Sequence, residues 1–219
     1  MLRHLLVWAA AAALSAQQPP ISNANLVPAT AAGGLEAAVR KALVGPYAKD
    51  GGPVWIGYAV PRVKGDGQSC CWNDDWRGCG LEGNRYGGSA APTGPVLLEG
   101  PSHVTILLRA EAGKVGKIRT FTIDCPLDAG GLTVHWLSNV DPAQNLAMLT
   151  SLARQNENEK IRESALGALS QSAEPQAIPT VIQFAKEDKN PQIRKQAMRI
   201  LGRSKDPRAF QFISDLLTK

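Results

Sequence analysis

The chain has 219 residues, a formal net charge of +5 and a pI near 9.1. Beyond its first residues no apolar run is long enough to span a bilayer, which argues against an integral membrane protein. The sequence also lacks a G-x-S-x-G elbow, an H-E-x-x-H pair and a P-loop, so we expect neither an enzyme nor a bound cofactor or metal.

Residues 1–16 have the pattern of a secretory signal peptide. Arg3 precedes an apolar run from Leu5 to Leu14, and Ala16 supplies a small residue at the expected cleavage site. Ten apolar residues are too few to cross a membrane, so we expect cleavage and export to the periplasm or the extracellular space. In an exported protein the positive charge favours an acidic protein or a glycan as partner, and we expect no nucleic acid.

Residues 17–50 are predicted to form a flexible lead-in that contains one short helix. The first part of this segment is rich in Pro, Asn and Ala and has no hydrophobic periodicity. The helix is predicted from Leu35 to Leu43, because its apolar residues share one side and Gly45 and Pro46 end it.

Residues 51–140 are predicted to form a small, disulfide-stabilised β-rich domain with antiparallel strands. The strand candidates are Val54–Val60, Val96–Leu98, His103–Arg109, Lys117–Ile123 and Leu132–Leu137. A short link that contains two glycines joins the third and fourth candidates and is typical of a hairpin. Because the domain leads directly into residue 141, we expect it to cover the open end of the helical part that follows.

Four cysteines, Cys70, Cys71, Cys79 and Cys125, predict two disulfides in an exported protein. Adjacent cysteines bridge each other only with strain, so one member of the adjacent pair is expected to join Cys79 and the other Cys125. The sequence leaves open which member joins which. A zinc site is the competing interpretation, but the C-x-x-C spacing is absent.

Aromatic residues and two histidines in the same domain suggest alternative functions. Trp72 and Trp76 stand among polar residues and could stack on sugar rings, although large aromatic rings more often fill the core of a small domain. A hydrolase-type enzyme would need His103 and His135 to converge in one cleft. We expect structural roles for both histidines.

Residues 141–219 repeat themselves at an offset of 32 residues. The matching positions include Ile161 and Ile193, Ala165 and Ala197, Leu166 and Met198, Leu169 and Leu201, and Ile178 and Phe210. Each copy contains two segments with an apolar face at helical spacing, and a partial copy lies upstream. Such pairs bury their apolar faces by stacking, so we predict an α-solenoid of about two and a half repeats and an α+β protein overall.

Two motifs carry a family resemblance. They are Ile161-Arg162-x-x-Ala165-x-x-Ala168-Leu169 and Ile193-Arg194-x-x-Ala197-x-x-Ile200-Leu201. Both resemble HEAT repeats of the short type also called phycobilisome-lyase-like, and with the signal peptide they resemble exported bacterial HEAT-repeat proteins. The resemblance implies a ladder role between repeats for Arg162 and Arg194, and it implies no active site.

The helical part also supplies the candidate partner-binding residues. Lys195, Arg199 and Arg203 follow each other at i, i+4 and i+8 on one side of a helix, with Arg194 beside them. This basic face is either a solvated surface or a docking surface for an acidic protein. The last helix carries more apolar surface than one neighbour covers, which adds Phe212 and Leu216 to the candidates. We therefore predict an exported, non-enzymatic scaffold or adaptor protein, with a glycan-binding module as the alternative.

Overall fold

The computed structural model describes residues 18–45, 52–64, 69–71, 79–83 and 101–218. The predicted signal peptide, the strand candidate Val96–Leu98, Trp72 and Trp76 lie outside the described residues. None of the helices in the described ranges is long and apolar enough to cross a membrane.

The N-terminal part is built from strands that form two sheets. Within the described residues the strands are β1 (Ile21–Ser22), β2 (Asn25–Thr30), β3 (Val54–Pro61), β4 (Cys79–Gly80), β5 (His103–Glu111), β6 (Lys114–Thr122), β7 (Leu127–Asp128) and β8 (Thr133–Ser138). The larger sheet has the order β2-β8-β3-β5-β6, and the smaller sheet has the order β1-β7-β4. The β-rich part that the sequence predicted is therefore confirmed.

The predicted hairpin is present as β5 and β6, and both strands are longer than predicted. Its turn consists only of Ala112 and Gly113, which have φ values of 49° and 74°. Positive φ at both central residues is the requirement of a two-residue hairpin turn whose twist matches the strands. The strands can therefore pair up to Glu111 and Lys114.

Two expectations about the strands need correction. Residues 25–30 are not part of a flexible lead-in, because β2 pairs with β8 from Asn25↔Thr133 to Thr30↔Ser138. The larger sheet is also mixed rather than wholly antiparallel, because β8 runs parallel to both β2 and β3. A strand that contains Pro28 pairs more readily at a sheet edge, where a missing N–H is tolerated.

The C-terminal part is helical and follows the predicted repeat. The helices of the described chain are α1 (Leu35–Leu43), α2 (Pro142–Gln155), α3 (Glu159–Gln171), α4 (Ala177–Glu187), α5 (Pro191–Arg203) and α6 (Pro207–Leu217). The helix α1 begins and ends as predicted. Asn158 and Asn190 lie 32 residues apart and cap α3 and α5 in the same way, by accepting from the backbone N–H two residues later.

One face of the larger sheet packs on the helices. Ile56 and Tyr58 belong to a buried core that includes Leu149 of α2 and Leu166 of α3 and continues to α6. The Tyr58 hydroxyl donates to Asn145 Oδ1 in α2 at 3.0 Å. The sheet therefore covers the first helices of the solenoid, and the core is continuous across residue 140.

The other face of the larger sheet packs against the smaller sheet. Trp55 and Leu107 form this second core with Cys79 and Leu127. Gly57 is required there, because a Cβ at that position would lie 2.8 Å from Cε3 of Trp136. Burial of Trp55 and Trp136 in the fold agrees with the core role expected for the aromatic rings of this part.

His103 and His135 do not converge. His135 is opposite Ile56 on β3 and His103 is opposite Pro61, which is five positions further along that strand. An odd separation puts the two imidazoles on opposite faces of the sheet, and five residues of strand span roughly 16 Å. A two-histidine site therefore does not form between them.

One predicted disulfide is present, and its partners are Cys70 and Cys125, with Cα atoms 5.5 Å apart. It fastens residues 69–71 to the end of β6, where the Thr122 N–H also donates to the Ser69 carbonyl at 3.0 Å. The expectation that one member of the adjacent pair reaches Cys125 is thus confirmed. The second predicted disulfide, from the other member of the adjacent pair to Cys79, is not formed, because Cys71 and Cys79 both have free thiols.

Candidate partner-binding site

The basic face predicted on α5 is present. Lys195, Arg199 and Arg203 are all exposed, and Arg199 Nη1 donates to Gln196 Oε1 at 2.8 Å. Ile193, Ala197 and Leu201 occupy the buried side of the same helix. The helical spacing therefore separates a basic surface from an apolar one, as the sequence predicted.

Arg194 is half-buried and bonded within the chain, so its part in partner binding stays a prediction. Its Nη1 donates to the carbonyl oxygens of Asp188 and Lys189, at 2.7 and 3.2 Å. Arg162 acts similarly one repeat earlier, where Nε donates to the Ala153 carbonyl at 2.6 Å and Nη2 pairs with Asp188 Oδ2 at 2.5 Å. Both guanidinium groups hold the turns between helices, which is the ladder role that the HEAT resemblance implied.

Phe212 does not supply the exposed apolar surface expected of it, because it is only 8% exposed. Its ring lies under the Lys186 ammonium, with 5.2 Å between Nζ and the ring centroid. Phe210, which the repeat offset matched with the buried Ile178, is 72% exposed. Ile178 and Phe210 differ in exposure because α4 has helices on both sides, whereas no described helix follows α6. Leu216 remains a candidate at 48% exposure.

The structure brings four cationic residues from two distant parts of the chain around one cleft, here called the basic cleft. They are Arg62 and Lys64, which follow β3, and Arg203 and Lys205, which lie at the end of α5 and just after it. The cleft has a volume of about 820 Å³. Its other lining residues, which are mostly small or polar, include Ser102, Ser170, Gln171, Gln196 and Ser204.

Backbone hydrogen bonds fix the two walls of the basic cleft relative to each other. The chain after β3 runs beside the end of α3, where the Val63 N–H donates to the Gln171 carbonyl at 3.1 Å. The Ala173 N–H donates back to the Pro61 carbonyl at 2.9 Å. The cleft therefore lies at the junction between the sheet and the solenoid, and main-chain hydrogen bonds hold this junction in place.

The lining of the basic cleft is electrostatically one-sided. Among the described lining residues the one carboxylate belongs to Asp206, against the four cations. Asp206 is already neutralised, because Arg208 Nε donates to its Oδ1 at 2.9 Å and Arg208 Nη2 to its Oδ2 at 2.7 Å. The hydrogen bonds from Arg208 lower the pKa of the Asp206 carboxyl. Cationic residues therefore outnumber carboxylates in the described lining of the cleft, which gives this lining a net positive formal charge.

Half of the basic cleft was missed by sequence reasoning. Arg203 was predicted as a binding residue and Lys205 lies two residues away, so the α5 side follows from local helical spacing. Arg62 and Lys64 are well over a hundred residues earlier and carry no local pattern. Only the pairing of the chain after β3 with the end of α3 brings them to the same place.

The described residues also contain one group of potential metal ligands, formed by Cys70, Asp124 and Cys125. Both sulfurs of this group are joined in the disulfide and do not act as thiolate ligands. The chemistry that the described surface supports best is therefore the binding of an anionic group in the basic cleft.

The fold and the cleft define a two-part protein in which a mixed sheet covers the first helices of a helical-repeat domain. The sequence model of the HEAT-repeat family matches residues 146–219. The helical part is therefore a HEAT-repeat domain, which confirms the resemblance seen in the two repeated motifs. No curated protein and no solved structure matches the chain.

Proposed function

We propose that this protein is a non-catalytic adaptor that acts outside the cytoplasm and binds an acidic segment of a partner protein in the basic cleft. The observation that carries the proposal is the cleft's charge. Four cations line it, and the one described carboxylate is held by Arg208.

Two further features support a protein ligand. HEAT repeats commonly mediate protein–protein interactions, and one wall of the cleft is formed by the HEAT helices α3 and α5. A cleft of about 820 Å³ lies within the range of about 300–1,000 Å³ that is typical of ligand sites. It is therefore large enough for several side chains of a peptide.

The expected recognition is electrostatic with hydrogen bonding. The planar guanidinium of Arg203 can donate two parallel hydrogen bonds to one carboxylate, while the ammonium groups of Lys205 and Lys64 act as point charges. Such pairs at a partly solvated surface are weakened by salt, because the Debye length shortens from about 10 Å at 0.1 M to about 3 Å at 1 M. Binding should therefore fall as ionic strength rises.

The test uses a fluorescein-labelled peptide of alternating Glu and Ser as probe, measured by fluorescence anisotropy at low and high salt. The cleft variant Arg203→Glu/Lys205→Glu is compared with Lys195→Glu/Arg199→Glu on the exposed basic face of α5. The control is Lys114→Glu/Lys160→Glu, which changes the net charge equally at exposed positions that do not line the cleft.

We expect the cleft variant to bind the probe at least about tenfold more weakly, which corresponds to about 1.4 kcal/mol, and the control to bind like wild type. Equal losses in all three variants would show only a general charge effect and would contradict the cleft. A loss confined to the α5 variant would move the site to that helix face. Tighter binding of polygalacturonate than of the peptide, at equal carboxylate concentration, would favour a glycan partner instead.

The extracytoplasmic location is supported by the signal-peptide pattern of residues 1–16 and by a disulfide, which persists in oxidising compartments. N-terminal sequencing of protein expressed with its own leader in a bacterial host should give a mature chain that begins near Gln17. Recovery of the uncleaved chain in the cytoplasm would contradict export, and it would leave the binding test above unaffected.

A further inference from the structure

Cys71 and Cys79 lie side by side in the structure with free thiols. The Cys71 N–H donates to Cys79 Sγ at 2.7 Å. Cys79 is fixed in β4, where it pairs with Leu127, and it is only 1% exposed. Cys71 lies next to the disulfide-bonded Cys70 and is partly exposed.

The four sulfurs form two separate pairs rather than one metal site. In a tetrahedral zinc thiolate site all four sulfurs lie within roughly 4 Å of one another. Among the described residues, Cys70 and Cys125 cluster with Asp124, and neither Cys71 nor Cys79 joins that group. The arrangement is therefore that of one closed disulfide beside a second pair of thiols.

The two thiols differ in access and in charge. Cys71 is partly exposed and lines a cavity of about 300 Å³ together with Arg119, Phe121 and Glu163, so the residue is open to solvent on this side. The hydrogen bond from Cys79 lowers the pKa of the Cys71 thiol to about 7, and the Arg119 guanidinium adds to this effect. The same hydrogen bond and burial raise the pKa of Cys79.

We propose that Cys71 and Cys79 are an exchangeable dithiol–disulfide pair, in which Cys71 is the attacking thiolate and Cys79 is the resolving thiol. The substrate class is a disulfide of another molecule that enters the cavity beside Arg119. The inference rests on the placement of the two sulfurs and not on the adaptor function.

Two exchange steps give a balanced reaction. The Cys71 thiolate attacks one sulfur of the external disulfide, which forms a mixed disulfide and releases the other sulfur as a thiolate. Cys79 then loses its proton and attacks the Cys71 sulfur, which closes Cys71–Cys79 and releases the second external thiolate. The two thiols are oxidised by two electrons, the external disulfide is reduced, and the two protons pass to solvent or to the released thiolates.

Attack of Cys71 on the neighbouring disulfide inside the chain is a competing path. Bond formation with Cys70 would join adjacent residues, which requires a strained geometry. Exchange with an external disulfide carries no such strain. Attack on the Cys125 sulfur would release Cys70 instead, but Cys125 is fully buried. The resident Cys70–Cys125 disulfide is therefore expected to survive while the second pair opens and closes.

The first experiment equilibrates the full chain in glutathione redox buffers, quenches it with acid and N-ethylmaleimide, and maps the linkages by mass spectrometry. We expect Cys71–Cys79 to close in oxidising buffer and to open before Cys70–Cys125 as the buffer becomes more reducing. Cys71 and Cys79 that stay as thiols in excess glutathione disulfide would overturn the proposal. So would a mapped Cys71–Cys125 or Cys79–Cys125 link.

Serine variants separate the two roles. With Cys79→Ser, attack by Cys71 cannot be resolved, so a mixed disulfide of glutathione with Cys71 should accumulate. With Cys71→Ser, the buried Cys79 should form none. The opposite pattern, or mixed disulfides in both variants to the same extent, would contradict the assigned roles.

The pH dependence of Cys71 alkylation tests the attacking role in the wild-type chain and does not depend on the folding of any variant. The rate of Cys71 alkylation by iodoacetamide, with Cys70–Cys125 intact, should be half-maximal near pH 7 rather than at the value of about 8.5 of an ordinary cysteine. A midpoint at 8 or above would show an unactivated thiol and would contradict the attacking role.

Discussion

The helical repeats and the sheet bury their side chains through contacts of very different range along the chain. In the repeats, Ile161 and Ala165 lie one turn apart on the same helix, and the Arg162–Asp188 pair bridges 26 residues. In the sheet, Asn25 bonds to Thr133 across 108 residues, and a disulfide closes a separation of 55. Order in the repeats is thus encoded locally, whereas order in the sheet depends on distant segments.

The two regions nevertheless share one core, which runs from α1 and the sheet into α6. A protein with a continuous core should unfold in one cooperative transition even though its halves are encoded differently. A change in the sheet, in the repeats or at the seam between them should therefore lower the stability of the whole chain.

The largest loss is expected when the cross-link of the sheet is removed. The variant Cys70→Ser/Cys125→Ser frees a loop with a sequence separation of 55, and the chain-entropy relation gives a loss of about 4 kcal/mol. Urea unfolding followed by both helical circular dichroism and tryptophan fluorescence measures it. Both signals should shift together, and two separate transitions would show that the halves are independent.

A smaller loss is expected in the repeats from Arg162→Met. The change leaves the Asp188 carboxylate, whose side chain is only 9% exposed, without its guanidinium partner, at a cost of about 2–3 kcal/mol. The control Arg40→Met breaks an exposed pair with Glu36 and should cost less than about 0.5 kcal/mol. Equal urea midpoints for the two variants would refute the ladder role of Arg162.

At the seam, Tyr58→Phe removes the hydroxyl that donates to Asn145 Oδ1 and should cost about 1–2 kcal/mol. Burial raises the pKa of Tyr58, so the hydroxyl remains a donor throughout the accessible pH range. The double variant Tyr58→Phe/Asn145→Leu should recover part of the loss, because no buried polar group is then left unpaired. Thermal unfolding that is unchanged by Tyr58→Phe would show that this bond does not link sheet and helix.

The smallest effect concerns pH and lies in the sheet. Burial lowers the pKa of both His103 and His135, so the unfolded chain binds more protons than the folded one below about pH 6.5. The contribution of the two neutral histidines to stability should be fully present above that pH. It should decline as the pH falls from 6.5 to 5. Thermal midpoints over this range test it, and His103→Gln/His135→Gln should flatten the decline. If the thermal midpoint of that variant falls with pH as steeply as that of wild type, groups other than the two histidines cause the decline.

The local features of the fold follow from the sequence. Helical spacing and capping residues specify α1 and the repeat helices, and β-branched residues specify β3, β5 and β6. The basic face of α5, including Arg203, follows from the same spacing. These features depend on residues that lie close together in the sequence, within a few helical turns or within one strand.

The features that the sequence did not indicate all join distant segments. The strand β2 was mistaken for a lead-in because its partner begins 108 residues later, and the cleft gained Arg62 and Lys64 only because the chain after β3 meets the end of α3. Phe212 changed from a candidate anchor to a core residue for the same reason. Sequence alone determined the repeats, the strands β3, β5, β6 and β8, and one basic wall. The tertiary structure decided which surfaces these elements contact. Burial and the clustering of charges depend on contacts between distant segments, and the spacing of residues along the chain does not predict those contacts.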